Sequence, residues 1–252
     1  MMYIIETNGL TKSYGGFTAV SDLSLHIPKG AVYGFLGPNG AGKSTTMKML
    51  LGLTKPTGGS FTIDGKSSPG NRTEILKSIG SFIESPAFYG NLSGEENLLI
   101  LQKILGLPRS SVADALALAG LTRFRKRPAK KYSLGMKQRL GLAMALIGRP
   151  PILILDEPTN GLDPVGIHEI RNLIRSLPKQ FDCTVFVSSH LLSEIELMAD
   201  DIGILNRGRL LYEGSLEGLK RDAALRGFPT DNLEDTFLAL IADDDQQRGA
   251  VG

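Results

Sequence analysis

The chain has 252 residues, 42% of them hydrophobic, and carries 28 Lys and Arg against 26 Asp and Glu, for a net charge of +2. This composition is typical of a globular protein of one or two domains and excludes a disordered or fibrous chain. So small a net charge gives no broad basic field, and we therefore expect no nucleic-acid partner.

No membrane span is predicted, because a bilayer-crossing helix needs about 20 apolar residues. The longest stretch without Asp, Glu, Lys or Arg is the 13 residues of 30–42. The first residues lack the pattern of a secretory signal, and the single Cys183 cannot form an internal disulfide. We expect a reducing cytoplasmic environment.

The first third of the chain predicts an antiparallel β layer and then a strand, a loop and a helix. Residues 3–27 alternate apolar and polar with a period of two, and residues 61–67 contain an Asp-Gly dipeptide typical of a tight hairpin. Residues 31–36 are predicted to form a buried strand. A glycine-rich turn and a helix over 43–53 follow it.

The middle of the chain predicts a helical insert, because Leu and Ala recur at helical spacing over about 95–121. The cationic segment 123–131 is interpreted as a solvated face rather than a nucleic-acid or membrane patch. Strands at 152–155 and 184–189 then flank a helix over 165–177, and this alternation implies parallel pairing.

The C-terminal part is predicted to contain a helix from about residue 216, a turn at 227–232 and a short helix over 234–241. The polar tail after residue 241 is expected to fray.

The strongest local signal is a segment that we call the phosphate loop, which fits G-x-x-x-x-G-K-[ST] and lies between a predicted strand and a predicted helix. Backbone N–H groups at its glycines can converge on phosphate oxygens, Lys43 supplies a positive charge, and Ser44 offers a hydroxyl to Mg²⁺. The loop consists of Gly37, Pro38, Asn39, Gly40, Ala41, Gly42, Lys43, Ser44 and Thr45.

Two carboxylates, Asp156 and Glu157, follow the apolar strand at 152–155. Ligands of open α/β sheets bind at the carboxyl ends of strands, so Asp156 is expected to hold Mg²⁺ and Glu157 to polarise an attacking water. The alternative is a strand that ends in solvated acidic residues with no role in catalysis. The presence of the phosphate loop in the same chain disfavours this alternative.

A third motif, YSLGMKQR at 132–139, precedes an apolar helical run. Ser133 suits a helix N-cap and Gly135 suits close approach of the backbone to a phosphate. The phosphate loop precedes this motif, and the carboxylates Asp156 and Glu157 follow it. With the three motifs in this order, the chain resembles the nucleotide-binding subunit of an ATP-binding cassette transporter over nearly its whole length. The family usually has Leu-Ser-Gly-Gly-Gln here, so Tyr132, Leu134 and Met136 depart from the pattern.

The resemblance implies roles for three further residues. Tyr14 matches an aromatic residue that stacks on adenine, Asp163 matches a loop that communicates between the two sites of a dimer, and His190 matches a histidine that contacts the γ-phosphate. Without the resemblance, Tyr14 is equally a strand-end aromatic and His190 a capping or packing residue.

Glu84 occupies a position where the family usually has a Gln that contacts Mg²⁺ and the attacking water. A carboxylate is a legitimate ligand for a hard cation, but it adds negative charge beside the γ-phosphate. Glu84 together with YSLGMKQRL resembles the branch that handles bacitracin and lantibiotic-type peptide antibiotics, and a general exporter of drugs or of another substrate is the alternative.

The resemblance implies an α/β fold made of one cassette domain over 1–252. Its expected parts are a phosphate-loop ATPase core with a mixed or parallel sheet and the N-terminal β layer (1–84 and 146–215), a helical subdomain (about 85–145), and C-terminal helices with a flexible tail (about 216–252).

The implied activity is ATP hydrolysis coupled to export. Two cassettes, identical or different, stack head to tail, so that ATP and Mg²⁺ lie between the phosphate loop of one chain and Ser133, Gly135 and Asp163 of the other. Transmembrane permease subunits are the implied partners, docking near residues 85–94 at the cytoplasmic face of the membrane. A soluble cassette ATPase with an assembly or mechanical role is the alternative, whereas a kinase is disfavoured because Glu157 and His190 fit water activation.

Overall fold

The computed structural model describes residues 2–84 and 87–249, with side chains as far as Gln247. The strands of this part are β1 (Tyr3–Tyr14), β2 (Phe17–Leu23), β3 (His26–Pro28), β4 (Val32–Leu36), β5 (Gly58–Ile63), β6 (Lys66–Ser67), β7 (Ile79–Phe82), β8 (Ile152–Asp156), β9 (Thr184–Ser189), β10 (Asp201–Asn206) and β11 (Arg209–Gly214). The helices are α1 (Lys43–Leu50), α2 (Arg72–Lys77), α3 (Gly94–Ile104), α4 (Ser110–Leu118), α5 (Leu134–Leu146), α6 (Pro164–Phe181), α7 (Leu192–Ile195), α8 (Leu216–Leu225) and α9 (Leu233–Gly249).

An antiparallel sheet is built from the first strands, in the order β2-β1-β5-β6, with β3 also paired to β1. Its longest strand, β1, buries apolar side chains such as Ile5 and Leu10 against the rest of the protein. Asp64 and Gly65 join β5 to β6 in the left-handed region, with φ of 51° and 70°. The predicted N-terminal β layer is therefore confirmed.

A second sheet has the order β11-β10-β4-β9-β8-β7, with parallel pairing from β10 to β7 and an antiparallel edge at β11. β4 and β9 are buried along their whole length, as expected of parallel strands covered on both faces. The predicted mixed sheet is confirmed. Sequence reasoning missed β7, β10 and β11, because they are short and interrupted by Gly or by polar residues.

The carboxyl ends of the parallel strands meet at one edge of the second sheet. Leu36 of β4 pairs with Ser189 of β9, and Asp156 of β8 pairs with Ser188 of β9. The loops that leave these strands are therefore neighbours, although they are far apart in sequence.

The helices α3, α4 and α5 share an apolar cluster of their own, which includes Leu98, Leu116 and Leu140. Ser93 is the N-cap of α3: its hydroxyl accepts a hydrogen bond from the N–H of Glu96, while the Glu96 carboxylate accepts from the N–H of Ser93. The cationic segment 123–131 that follows α4 is exposed except at Pro128 and Ala129, as predicted.

The C-terminal helix α9 extends to Gly249, so the predicted end of this helix at residue 241 is wrong. The polar residues are held because Asn206 donates hydrogen bonds to Asp244 and Asp245. Residues 250–252, the end of the predicted tail, lie outside the described residues. Over the described helices, none combines the length and apolar character that a membrane crossing requires.

Candidate functional site

The phosphate loop connects the buried strand β4 to the N-terminus of α1. Gly42 has φ of 108°, and a Cβ atom there would lie 2.5 Å from the carbonyl oxygen of Ala19. At Gly37 a Cβ atom would lie 2.3 Å from the carbonyl oxygen of Leu205. Glycine is therefore required at both positions, at Gly42 by conformation and crowding and at Gly37 by crowding.

The first turn of α1 has no side-chain cap and no acidic residue. Its N–H groups and the positive end of the helix dipole are therefore suited to an anion. The loop residues Ser44 and Thr45 belong to this turn and line a cavity of about 370 Å³ beside it. The cavity is lined by Phe17, Ala19, Asn39, Gly40, Ala41, Gly42, Lys43, Ser44, Thr45, Glu157 and Asn160.

Lys43 is only 5% exposed, and its ammonium group is held by acceptors on both sides. Nζ donates to the carbonyl oxygens of Gly37 (2.6 Å) and Pro38 (3.3 Å) and lies 3.4 Å from Oε1 of Glu157. Burial lowers the pKa of Lys43, and the nearby Glu157 carboxylate opposes this shift.

Asp156 is buried at the end of β8, where Ser188 of the neighbouring strand donates a hydrogen bond of 2.6 Å to its Oδ1. The same hydroxyl accepts a 2.9 Å hydrogen bond from the N–H of Glu157. Glu157 has a positive φ of 49°, so the chain turns sharply at this residue. Ser188 thus connects the Asp156 carboxylate to the backbone of Glu157, a role that sequence reasoning missed, although the strand motif TVFVSS placed it at the same sheet edge.

His190 follows β9 and lies against Glu157, with Nδ1 at 2.5 Å from Oε2. One carboxylate is therefore flanked by an imidazole and an ammonium group. The structure brings together Lys43, Asp156, Glu157 and His190 from three separate stretches of sequence.

Tyr14 and Phe17 are a directly opposed pair at the end of the β1–β2 hairpin. Tyr14 is half exposed, with Nζ of Lys12 at 4.7 Å from the centre of its ring. The cavity beside the phosphate loop is lined by Phe17, a residue that sequence reasoning missed, and Tyr14 is not among its lining residues. The signal available in the sequence was a second aromatic residue three positions after Tyr14.

Glu84 lies two residues after β7, at the carboxyl edge of the second sheet, and pairs with Lys48 on α1. β7 is adjacent to β8, so this edge also carries Asp156 and Glu157. Lys48 was not singled out by sequence reasoning. It is on the same helix as Lys43, and this ion pair connects the helix after the phosphate loop to the segment that leads into the α3–α5 cluster.

Ser133, Gly135 and Asp163 lie outside the cavity that adjoins the phosphate loop. Ser133 caps α5, accepting from the N–H of Met136 at 3.3 Å, and Asp163 caps α6, accepting from the N–H of Gly166 at 2.8 Å. A Cβ atom at Gly135 would lie 3.4 Å from the side chain of Leu162, so the start of α5 adjoins the loop before α6.

Comparison with known proteins identifies this kind of site. Residues 20–160, more than half of the chain, match the family described as ABC transporter. The chain is 52% identical over 222 residues to the bacitracin transport ATP-binding protein BcrA of Bacillus licheniformis, covering 88% of this chain and 72% of the relative. It is 44% identical over 234 residues to the lantibiotic transport ATP-binding protein SrtF of Streptococcus pyogenes, covering 93% and 96%.

A solved structure of the ATP-binding cassette MJ0796, a dimer in a post-hydrolysis state with ADP and Pi, has the same fold. It superposes with a TM-score of 0.77 at 27% identity, over 84% of this chain and 98% of that one. This chain belongs to the ABC transporter family, as an ATP-binding subunit with the ATPase activity characteristic of that family.

Proposed function

We propose that this chain binds MgATP between two cassettes stacked head to tail and that its hydrolysis drives export through a membrane permease. The observation that carries the proposal is the convergence of Lys43, Glu157 and His190 beside the phosphate loop. Lys43 supplies charge to the β- and γ-phosphates, Glu157 orients and polarises the attacking water, and His190 holds Glu157 and contacts the γ-phosphate.

The oxygen donors at this edge of the sheet are too few to bind Mg²⁺ by themselves, so phosphate oxygens would have to complete its coordination. Within the described residues no group of three or more His, Cys, Asp or Glu side chains could hold a metal by itself. Mg²⁺ is commonly bound through one or two protein ligands and substrate phosphates. Ser44 and Asp156, with Glu84 as a third donor, would hold it here, and the ion would neutralise charge on the transferred phosphoryl group.

A second cassette would supply the groups that this chain lacks at its own cavity. Ser133 and Asp163 are exposed and lie outside the cavity, although each caps a helix whose N-terminus can face an anion. In a head-to-tail pair they would approach the nucleotide of the partner, together with Gly135. The dimeric relative with ADP and Pi supports this arrangement.

The permease is expected to dock at the segment before α3. Tyr89 is 62% exposed there, and its backbone is fixed by the buried Asn97, which donates to its carbonyl oxygen (3.1 Å) and accepts from its N–H (2.8 Å). Phe88 instead packs against the α3–α5 cluster. Ser85 and Pro86, part of the predicted contact at 85–94, lie outside the described residues. Docking at this segment would place the chain at the cytoplasmic face of the membrane.

The proposed cargo class is a peptide antibiotic of the bacitracin or lantibiotic kind. Its support is the similarity to BcrA and SrtF, which are named for transport of these compounds. Glu84 together with the motif YSLGMKQRL indicates the same branch from the sequence.

The decisive experiment is Mg²⁺-dependent ATP hydrolysis by the purified chain as a function of its concentration. Turnover per chain should rise with concentration if sites are shared between two chains, and Lys43→Ala should remove it. Activity that is independent of concentration, or indifferent to Lys43, would contradict the shared site.

A second measurement tests the dimer directly. Glu157→Gln keeps the size of the side chain but loses the carboxylate, so MgATP should persist and hold two chains together. Light scattering should show a dimer with MgATP for Glu157→Gln and a monomer for the Lys43→Ala/Glu157→Gln double variant. A monomer in both, with and without the membrane partner, would remove the main support for this mechanism.

The alternative is a soluble cassette ATPase that assembles or moves other components without transport. Affinity capture from a detergent extract separates the two functions, because only an exporter subunit should retain a polytopic membrane protein.

A further inference from the structure

The hairpin turn between β10 and β11 contacts the phosphate loop. The N–H of Gly208 donates a 2.8 Å hydrogen bond to the carbonyl oxygen of Ala41, inside the loop. The carbonyl oxygen of Gly208 accepts a 2.8 Å hydrogen bond from the N–H of Ser21, on the other side. Just before the turn, the carbonyl oxygen of Leu205 closely approaches Gly37 at the start of the loop. The phosphate loop therefore rests on this hairpin at two points.

The turn adopts a backbone conformation that Gly208 favours but Arg207 does not. Arg207 and Gly208 form a two-residue turn between the paired residues Asn206 and Arg209, and both have positive φ, 43° and 81°. Turns of this kind favour Asn or Gly at both positions, and Arg is uncommon in the left-handed region. Contacts from outside the hairpin must therefore contribute to keeping the turn in this shape.

Helix α9 provides those contacts through two consecutive carboxylates. Asn206 is 2% exposed and donates from Nδ2 to Oδ2 of Asp244 (2.8 Å) and to Oδ1 of Asp245 (3.0 Å). Nε of Arg207 lies 3.0 Å from the same oxygen of Asp245. The strained residue and its buried neighbour are thus both held by the C-terminal helix.

We propose that Asp244 and Asp245 act as positioning residues for the phosphate loop, so that the C-terminal helix sets the affinity for nucleotide phosphates through the 206–208 turn. The carboxylates hold Asn206 and Arg207. The turn that contains these residues then keeps the N–H of Gly208 hydrogen-bonded to the carbonyl oxygen of Ala41. This inference rests on the proposed function only in that the phosphate loop must be the nucleotide site.

The test compares three Asp-to-Asn changes on one helix in the full chain. Asp245→Asn and the double variant Asp244→Asn/Asp245→Asn weaken the hydrogen bonds and the ion pair that hold Asn206 and Arg207. Asp243→Asn is the matched control, because the Asp243 carboxylate accepts from Gln247 of the same helix, at 2.8 Å. Calorimetry gives Kd for MgATP and for Mg-triphosphate, and steady-state hydrolysis gives KM and kcat.

Charge-assisted hydrogen bonds of this kind lead us to expect a rise in Kd and KM of about threefold for Asp245→Asn and about tenfold for the double variant. Saturating kcat should not change, because no group that reacts with ATP is altered. Mg-triphosphate should be affected as strongly as MgATP, because the loop holds phosphate and not the base. Asp243→Asn should bind like the parent chain.

A rescue variant separates positioning from a general loss of stability. Arg207→Gly removes the side chain that disfavours a positive φ, so the turn should keep its shape with less help from α9. Added to the double variant, Arg207→Gly should restore most of the affinity for both ligands.

Three results would overturn the inference: unchanged Kd in the double variant, an equal loss in Asp243→Asn, or a loss that appears only where thermal unfolding shows the variant to be partly unfolded at the assay temperature. The Lys43→Ala control identifies which proposal fails. If Lys43→Ala binds Mg-triphosphate like the parent chain, the nucleotide site itself is wrong and this inference fails with it. If only the Asp variants are unaffected, the proposed function stands and the inference alone is wrong.

Discussion

Nδ1 of His190 lies 2.5 Å from Oε2 of Glu157, while Nζ of Lys43 lies 3.4 Å from the other oxygen of the same carboxylate. Glu157 is therefore oriented by two groups that can also donate to a phosphate. A γ-phosphate beside the loop would draw Lys43 away from Glu157, and the carboxylate, still held by His190, would then accept from water. Because His190 acts through Glu157, its effect should appear more strongly in the rate than in the binding of nucleotide.

Replacing His190 with Ala should lower kcat about a hundredfold, since positioned acid–base groups typically contribute at least that factor. Kd for MgATP should change little, and His190→Gln should recover part of the rate because an amide can still donate to Glu157. Steady-state hydrolysis and calorimetry measure the two quantities. His168→Ala is the control, because His168 is exposed on α6 and contacts Arg171 and Asn172. Equal losses at both histidines would contradict the assignment.

Glu84→Gln should retain measurable hydrolysis, because the amide keeps an oxygen for Mg²⁺ while losing the charge. The Mg²⁺ concentration needed for half-maximal activity should rise, and it should rise further in Glu84→Ala. Glu84 and Lys48 are 63% and 32% exposed, so their ion pair should contribute no more than about 1 kcal/mol to stability. Magnesium titrations of activity and thermal unfolding check both statements. Complete loss of turnover in Glu84→Gln would instead show that the carboxylate is essential.

Tyr14→Ala and Phe17→Ala should each raise Kd for MgATP about fivefold or more, since stacking of a base on an aromatic ring is worth about 1–3 kcal/mol. Neither should alter Kd for Mg-triphosphate, which has no base. Calorimetry with both ligands separates the two residues: an effect of Tyr14 alone would match the sequence prediction, and an effect of Phe17 alone would match the lining of the cavity. Equal weakening of both ligands would mean that the hairpin is merely damaged.

Tyr89→Ala should lower the recovery of membrane protein in affinity capture from detergent extract without changing ATP binding. Phe88→Ala should instead lower the unfolding temperature, because Phe88 packs against the α3–α5 cluster. Tyr3→Ala provides a control at another partly exposed tyrosine. Capture that is unaffected by Tyr89→Ala would place the permease contact elsewhere, and loss of ATP binding would show that Tyr89 supports the fold.

Cys183 should resist thiol reagents in the folded protein. Burial raises its pKa from 9.0 to about 11, so at pH 8 only about one thiol in a thousand is ionised. The folded protein holds the proton of this thiol more tightly than the unfolded chain does. The contribution of the thiol to the free energy of unfolding is therefore fully present below pH 9.0 and is lost as the pH rises through about 11. Reaction with Ellman's reagent should be slow at pH 8 and fast in urea, and Cys183→Ala should reduce the fall in unfolding free energy above pH 9. Rapid labelling of the native chain would contradict the burial.

Local chemistry allowed several features to be predicted from the sequence. The phosphate loop was evident because its glycines, Lys43 and Ser44 are contiguous and lie between a strand and a helix. Ser133 was expected to cap a helix because of its own side-chain chemistry, and it does so at α5. The period-two pattern likewise predicted the antiparallel layer.

The contact between helix α9 and the 206–208 turn could not be predicted, because the carboxylates of Asp244 and Asp245 reach Asn206 only after the chain folds. Phe17 was missed for a similar reason: its strand pairing puts it beside the cavity, and nothing in its neighbours along the sequence shows this.

The order of residues establishes which groups are present: a phosphate loop, two carboxylates after a strand, and a histidine after another strand. Which of these groups are in contact depends on the tertiary fold. The parallel register of β8 and β9 puts Asp156 opposite Ser188, and the turn after each strand then brings Glu157 to His190. Those distances depend on pairing between strands that are far apart in sequence. Burial of the central strands β4, β8 and β9 fixes this pairing, and no local pattern encodes it.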